Sequence, residues 1–159
     1  MRIATSKRLL TCAALSVALI SPLALSHFDD KQLNQSYRQS WFTLLAMNFG
    51  PMGSMVKGEM PWNDEALQNF ARELDAVANL NLMRGFADGS EKGTTRAKPE
   101  IWQNKADFES KLGDLRKAAA ALNSAAGSGD KKAIAAQVGA VGKTCKACHD
   151  EYKSKNYLY

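Results

Sequence analysis

The pentapeptide Cys145-Lys146-Ala147-Cys148-His149 has the spacing C-x-x-C-H, in which a histidine directly follows two cysteines that stand three positions apart. This spacing is typical of c-type haem attachment. In a helix, residues three apart lie on one face, so both sulfurs can reach the two vinyl groups along one porphyrin edge. Neutral imidazole is a common ligand of haem iron. The stretch therefore predicts one haem c, covalently attached through Cys145 and Cys148, with His149 as the axial iron ligand.

The two cysteines fit a redox motif, a zinc site or a disulfide less well. A thioredoxin-like redox motif requires a βαβ context, and this motif ends a helical pattern. A structural zinc site requires four ligands, whereas the chain without its first 26 residues holds two Cys and two His, with His27 at the far end. A disulfide between the two cysteines would leave the adjacent histidine unexplained.

Residues 1–26 have the features of an export signal. Basic residues come first, the apolar run from Leu9 to Ile20 follows, and Ala24-Leu25-Ser26 places small residues at positions −3 and −1 of a cleavage site before His27. This predicts a periplasmic protein of residues 27–159. No other apolar stretch approaches the roughly 20 residues of a membrane span, so the mature chain is predicted to have none.

The charge of the mature chain is modest. It holds 18 Lys and Arg against 16 Asp and Glu, a net charge of +2, whereas the whole chain carries +5. No basic stripe with interleaved aromatic residues is present, so binding to nucleic acid is not predicted.

Four helical patterns follow the signal. They cover about 29–49, about 63–82, a segment that begins after Pro99 and has Asn104 as a cap, and a segment that begins at Asp130. Gly50-Pro51 and Gly53 are expected to interrupt the first pattern. A long polar loop, residues 84–98, precedes the third and could close over one edge of a cofactor. Four helices of about 20 residues predict an all-α, antiparallel four-helix bundle.

The haem motif continues the apolar rhythm of the fourth pattern. Apolar and motif residues recur there at spacings of four and three: Ile134, Val138, Val141, Cys145, Cys148 and Tyr152. The attachment site is therefore predicted to lie on the buried seam of the bundle.

Four stretches together resemble the cytochrome c′ family, the class II c-type cytochromes. They are Tyr37-Arg38-Gln39-Ser40, Val56-Lys57-Gly58, Pro99-Glu100-Ile101-Trp102 and the segment from Cys145 to Tyr152. The resemblance covers essentially the whole mature chain. It implies a left-handed four-helix bundle, periplasmic and often homodimeric, with one covalent haem. Ala71 and Ala78 are small enough for the close helix packing that a dimer through the first two helices would need.

The resemblance also implies a role for individual residues. Cys145 and Cys148 match the thioether sites and His149 the proximal iron ligand. The remaining matches are Arg38 and Gln39 at the haem propionates, Phe42 over the distal iron face, and Lys153 at a basic position beside the proximal histidine where many relatives have Arg.

The function depends on the sixth iron position. A phenyl group such as that of Phe42 has no lone pair for coordination, which favours a five-coordinate haem that binds NO and CO and also passes electrons to an unknown periplasmic redox partner. The alternative is a six-coordinate, low-spin electron-transfer cytochrome that uses one of the methionines, although these are more typical of packing. A peroxidase would require a distal His and Arg pair that the sequence does not offer, so no enzymatic activity is predicted.

Overall fold

The computed structural model describes residues 32–158. The predicted signal, its cleavage site before His27 and the expected start of the first helix at Asp29 or Asp30 lie outside the described residues. The helices are α1 (Leu33–Lys57), α2 (Asp64–Ala78), a 3-10 helix (Leu82–Phe86), α3 (Glu100–Gln103), α4 (Lys105–Ala126) and α5 (Lys131–Tyr152). Residues 32–158 form no strand, only an isolated bridge between Ala97 and Lys153. No helix among them is long and apolar enough to cross a membrane.

The four long helices form the predicted four-helix bundle. The helix α1 packs against α2, α2 against α4 and α4 against α5, while α1 and α5 make the sparsest contacts of these neighbours. Because short connections join α1 to α2 and α4 to α5, these pairs run antiparallel. The bundle therefore places α2 diagonally across from α5 and leaves a gap between α1 and α5.

Side-chain caps begin three of the helices, including the cap at Asn104 and the start at Asp130 that the sequence predicts. The side chain of Asn63 accepts a hydrogen bond from Ala66 N at 2.9 Å, and that of Asn104 accepts from Asp107 N at 3.4 Å. The side chain of Asp130 accepts from two backbone amides at the start of α5. These bonds satisfy amides that have no partner within the helix.

The predicted interruption of the first helix is wrong. The helix α1 continues through Gly50, Pro51 and Gly53 to Lys57, and its C-cap is Gly58, whose φ of 77° is left-handed. A proline inside a helix costs about 3 kcal/mol. Packing offsets that cost, because Met52 and Met55, just beyond the proline, are both buried in the core.

The second helix is shorter than predicted. It ends at Ala78, and the chain forms a separate 3-10 helix at Leu82–Phe86. Ala71 and Ala78 are both buried inside the bundle. They therefore serve packing within one chain and do not support the predicted dimer contact.

Candidate functional site

A cavity of about 730 Å³ fills the gap between α1 and α5. All seven residues that the sequence and the resemblance single out line it: Arg38, Gln39, Phe42, Cys145, Cys148, His149 and Lys153. They come from the first half of α1 and from the end of α5 with its C-cap, more than 100 positions apart in the chain. The bundle therefore brings the two predicted halves of the site together around one space.

The α5 wall of the cavity carries the C-x-x-C-H motif. Cys145 and Cys148 are half-buried, pack against the core and form no disulfide with each other. His149 is exposed at the next position and also lines the cavity. The helix continues through the motif to Tyr152, so both sulfurs lie on one face as the spacing predicts.

The electrostatics of this wall keep the two thiols and the imidazole neutral. Burial raises the pKa of both thiols, that of Cys148 to about 11. Partial desolvation lowers the pKa of His149, and the nearby cations of Lys153 and Arg96 lower it further. A neutral imidazole retains the lone pair that binds a metal ion.

On the α1 wall, Arg38 is held by backbone carbonyls. Its side chain is only 2% exposed, and its Nη1 and Nη2 atoms donate to Gly85 O at 2.8 Å and Ser90 O at 2.9 Å. The rings of Phe86 and Trp102 each lie 5.4 Å from the guanidinium carbon. The buried Nε atom has no hydrogen-bond partner within the described chain. Burial lowers the pKa of this guanidinium.

The contact between α1 and the 3-10 helix requires a glycine. A β-carbon on Gly85 would lie 3.0 Å from Arg38 Cβ and 3.1 Å from Asn34 O. Such distances are shorter than ordinary van der Waals contacts. Gly85 therefore lets its carbonyl approach closely enough to hold the Arg38 side chain.

The long polar loop closes one side of the cavity. Gln35 and Gln39 both donate through Nε2 to Thr94 O, at 2.7 and 2.9 Å, which ties the loop to α1. The next three residues, Thr95, Arg96 and Ala97, line the cavity. This placement agrees with the expectation that the loop covers one edge of the space.

Phe42 lies one helical turn after Arg38 on α1 and also lines the cavity. Its ring is half-buried and meets the Trp41 ring edge-on, with centroids 4.9 Å apart. Among the described residues that line the cavity, His149 is the only histidine and there is no methionine. Met52 and Met55 are buried in the core, whereas Met47 is 66% exposed.

A polar group that the sequence reasoning missed lies where α4 meets α5. The hydroxyl of Tyr152 donates to Asp107 Oδ2 at 2.6 Å. The ammonium of Lys111, which also lines the cavity, lies 3.0 Å from a carboxylate oxygen of Glu151 and 3.5 Å from Asp107. Asp107 and Lys111 each directly precede an apolar core residue of α4, and this position beside the core was the only sign of the group in the sequence.

The chain after α5 was also missed. Ser154 N donates to Arg96 O at 2.8 Å, and Leu158 N donates to Thr95 O at 3.0 Å. These bonds hold residues 153–158 against the loop and place Tyr157 on the cavity lining. Backbone pairing between segments about 60 positions apart leaves no pattern in the sequence.

The residues present fit a covalently attached haem. Two thiols and a neutral imidazole stand within one helical turn on one wall of the cavity. Apolar side chains from α1, α4 and α5 supply much of the remaining lining, as a porphyrin requires. The unpartnered Nε atom of the buried Arg38 is suited to an anionic propionate.

Comparison with known proteins agrees with this geometry. The sequence profile of the family described as Cytochrome C' matches residues 34–153. The chain is 41% identical to the cytochrome c' of Cereibacter sphaeroides over 122 residues, which are 74% of this chain and 80% of that protein.

Solved structures of cytochrome c prime are also similar to this chain. Cytochrome c prime from Shewanella frigidimarina superposes with a TM-score of 0.76 at 41% identity, over 80% of this chain and 99% of that one. A nitric oxide complex of a cytochrome c prime mutant from Alcaligenes xylosoxidans superposes with a TM-score of 0.72 at 36% identity, over 81% of this chain and 99% of that one. The cofactor is therefore covalent haem c. The chain belongs to the cytochrome c′ family.

Proposed function

We propose that this haem c protein is exported to the periplasm, where its iron keeps one protein ligand, His149, and binds NO and CO on the opposite face. In this proposal Cys145 and Cys148 form the thioether bonds. Arg38 and Gln39 bind the propionates, Phe42 covers the open iron face and Lys153 flanks the histidine. The proposal assigns no catalysed reaction.

The composition of the cavity lining carries the proposal. A second strong protein ligand would have to come from this lining, and its described residues offer no methionine and no histidine besides His149. Phe42 supplies bulk without a coordinating atom. An iron with one strong protein ligand keeps a face open for a gas.

Lys111 is the amine on the α4 side of the lining, and it is poorly suited to bind iron. The hydrogen bond to Glu151, together with the charges of Glu151 and Asp107, raises the pKa of its ammonium. A protonated amine has no lone pair, so it cannot coordinate. The ion pair with Glu151 holds Lys111 against α5.

The chemistry of the open face favours NO over O₂. The haem supplies the iron that binds the gas, and Phe42 gives the incoming ligand an apolar and crowded surface. Bound O₂ gains from a distal hydrogen-bond donor, which a phenyl ring does not provide, whereas NO needs less polar help. The nitric oxide complex of a mutant of the relative from Alcaligenes xylosoxidans supports NO as a ligand.

An absorption spectrum of the purified protein tests the proposal. We expect the ferrous protein near neutral pH to show a single broad Soret band, typical of high-spin iron, and to change on titration with NO and CO. Sharp, split visible bands that do not respond to either gas would assign the sixth position to a protein ligand. The six-coordinate electron-transfer alternative would then replace the gas-binding function.

Export and dimerisation are part of the proposal. The signal-like residues 1–26 support export, and N-terminal sequencing of the periplasmic protein should begin at about His27. A homodimer is supported by Leu33, Leu44 and Met47, which are exposed on one side of α1. Replacing Leu44 and Met47 with glutamate should shift sedimentation toward the monomer, and a wild type that remains monomeric at high micromolar concentration would contradict it.

A further inference from the structure

Two aromatic rings lie against the buried Arg38 side chain. Its guanidinium carbon is 5.4 Å from the centroid of the Phe86 ring and 5.4 Å from that of the Trp102 ring. The two rings also meet each other edge-on, with centroids 5.2 Å apart. We call Phe86 and Trp102 the aromatic clamp. The face of an aromatic ring attracts a cation, more strongly where water is excluded, so the clamp holds the Arg38 charge in place.

The fold fixes both rings of the clamp. Trp102 Nε1 donates to Ala87 O at 2.9 Å, while Phe86 is 1% exposed and packs edge-on against Phe108. Phe86 lines the haem cavity, whereas Trp102 is not among the described residues that do. Trp102 can therefore influence the cofactor only through another side chain, and the charged side chain that it contacts is that of Arg38.

The Arg38 charge has no counter-ion within the described chain. Its hydrogen-bond acceptors are uncharged: Gly85 O, Ser90 O and Ser90 Oγ. No carboxylate of residues 32–158 forms an ion pair with it. A buried cation without an anion is costly, and a haem propionate in the cavity would supply the anion. The direction in which the guanidinium is held therefore decides how well it meets a propionate.

We propose that Trp102 is a positioning residue that directs the Arg38 guanidinium toward a haem propionate. This inference rests on the proposed binding of a propionate by Arg38 and adds the residue that makes it effective. A cation beside the haem favours ferrous iron, which carries one positive charge less than ferric iron. Loss of the indole ring should free the guanidinium to move away from the propionate, and the reduction potential should then fall.

Substitutions at Trp102 in the haem-loaded protein test the proposal through two readouts. One is the reduction potential, and the other is the propionate bending band in the resonance Raman spectrum, which responds to hydrogen bonds on the propionate. In Trp102→Leu the equilibrium constant for reduction by a fixed mediator should fall about fivefold, and the band should shift. Trp102→Phe keeps a ring beside the guanidinium, so it should stay within about twofold of the wild type.

A second tryptophan provides the matched control. Trp62 is half-buried like Trp102, its Nε1 donates to Asp64 Oδ1 at 2.7 Å, and its ring lies 5.1 Å from the ammonium of Lys131. Lys131 begins α5, whereas the haem motif ends it, so this tryptophan lies far from the attachment site. Trp62→Leu makes the same truncation and should leave the potential and the propionate band at their wild-type values.

Combination with Arg38→Gln separates positioning from a general opening of the cavity. Arg38→Gln should lower the equilibrium constant about tenfold. Trp102→Leu added to it should lower the constant no further, because the side chain through which the indole acts is gone. Water admitted by the smaller side chain would lower the constant in both backgrounds. Far-UV circular dichroism checks that the helices remain. If Trp102→Leu loses them, Trp102→Met takes its place, with the same expectation.

Three results would overturn the proposal. They are equal shifts in Trp102→Leu and Trp62→Leu, further loss in the double variant, and an unchanged Trp102→Leu beside a shifted Arg38→Gln. Each of these leaves the binding of a propionate by Arg38 intact. An unchanged propionate band in Arg38→Gln would overturn that binding and the positioning role together. Titration with NO and CO tests the open iron face separately from all of these results.

Discussion

The two walls of the cavity differ in how far their residues depend on the rest of the fold. On α5, the two cysteines and the histidine lie within five consecutive residues and one helix presents them. On α1, Arg38 and Gln39 obtain their hydrogen-bond partners from residues 47 to 55 positions away. The presentation of the thiols and the imidazole is thus encoded locally, whereas the placement of the polar side chains on α1 depends on tertiary structure. Substitutions on the α5 wall should therefore affect haem attachment, whereas those on the α1 wall should affect stability and ligand binding.

Loss of both thiols should have the largest effect. The double variant Cys145→Ala, Cys148→Ala leaves no sulfur to form a thioether, so acid-acetone extraction should release any haem that the protein binds. The wild type should retain its haem under the same treatment. Lys146→Ala is the matched control, because this residue lies inside the motif but is exposed and pairs with Asp150. Equal retention in the double variant and the control would contradict covalent attachment.

Arg38→Ala removes the guanidinium and should lower the unfolding free energy by about 3 kcal/mol. The reason is that Gly85 O and Ser90 O would lose their donors inside the protein. Urea denaturation measures the loss. Arg84→Ala, at an exposed position of the 3-10 helix, should change the stability by less than about 0.5 kcal/mol. Arg38→Lys should recover little, since an ammonium cannot span two carbonyls as the planar guanidinium does. Full recovery with lysine would show that charge alone matters.

Truncation of Phe42 should alter ligand binding while leaving haem attachment intact. In Phe42→Ala the α1 wall loses its bulk, and we expect CO and NO to bind about tenfold faster, equivalent to about 1.4 kcal/mol of barrier. Oxidation of the ferrous protein by O₂ should also accelerate. Phe42→Leu keeps an apolar side chain and should lie near the wild type. Unchanged association rates in the alanine variant would show that the ring does not stand in the path of the gas.

Replacement of Phe42 by methionine sharpens the same comparison. A thioether sulfur at this position would provide the second ligand that the described cavity lining lacks. Phe42→Met should shift the ferrous absorption spectrum toward split, low-spin bands and slow the binding of CO. A spectrum that stays high-spin in this variant would place residue 42 out of reach of the iron.

The sequence predicted those parts of the molecule that depend on neighbours along the chain. The apolar spacing of α5, the cap at Asn104, the helix start at Asp130 and the C-x-x-C-H motif follow from spacing and local hydrogen bonds. Pro51 was misjudged because a local rule was outweighed by the burial of Met52 and Met55.

Features that depend on contacts between distant segments could not be predicted from spacing. The 3-10 helix packs on α1 through Gly85, and residues 153–158 pair with the loop at residues 95–97. The placement of Arg38, Gln39 and Phe42 around the cavity came from a family resemblance, since helical periodicity assigns a residue to a face but not to a partner.

The smallest effect is expected for loss of the hydrogen bond between Tyr152 on α5 and Asp107 on α4. Tyr152 is 3% exposed and donates to Asp107 at 2.6 Å, so Tyr152→Phe should lower the unfolding free energy by about 1 kcal/mol at pH 7. Burial, followed by the bond to Asp107, raises the pKa of this phenol above its usual value of 10.0. The stabilisation from this group is therefore complete below about pH 10 and is lost as the pH rises toward the folded-state pKa.

Above pH 10 the unfolded chain releases this proton more readily than the folded chain, so the wild type loses up to about 1.4 kcal/mol per pH unit through this group alone. The phenylalanine variant lacks the group, while both proteins share every other titration. The stability difference between them should therefore shrink between pH 9 and pH 11, as urea denaturation at several pH values would show. A difference that stays constant would mean that the hydroxyl titrates alike in both states. The bond to Asp107 would then not hold α4 to α5 in solution.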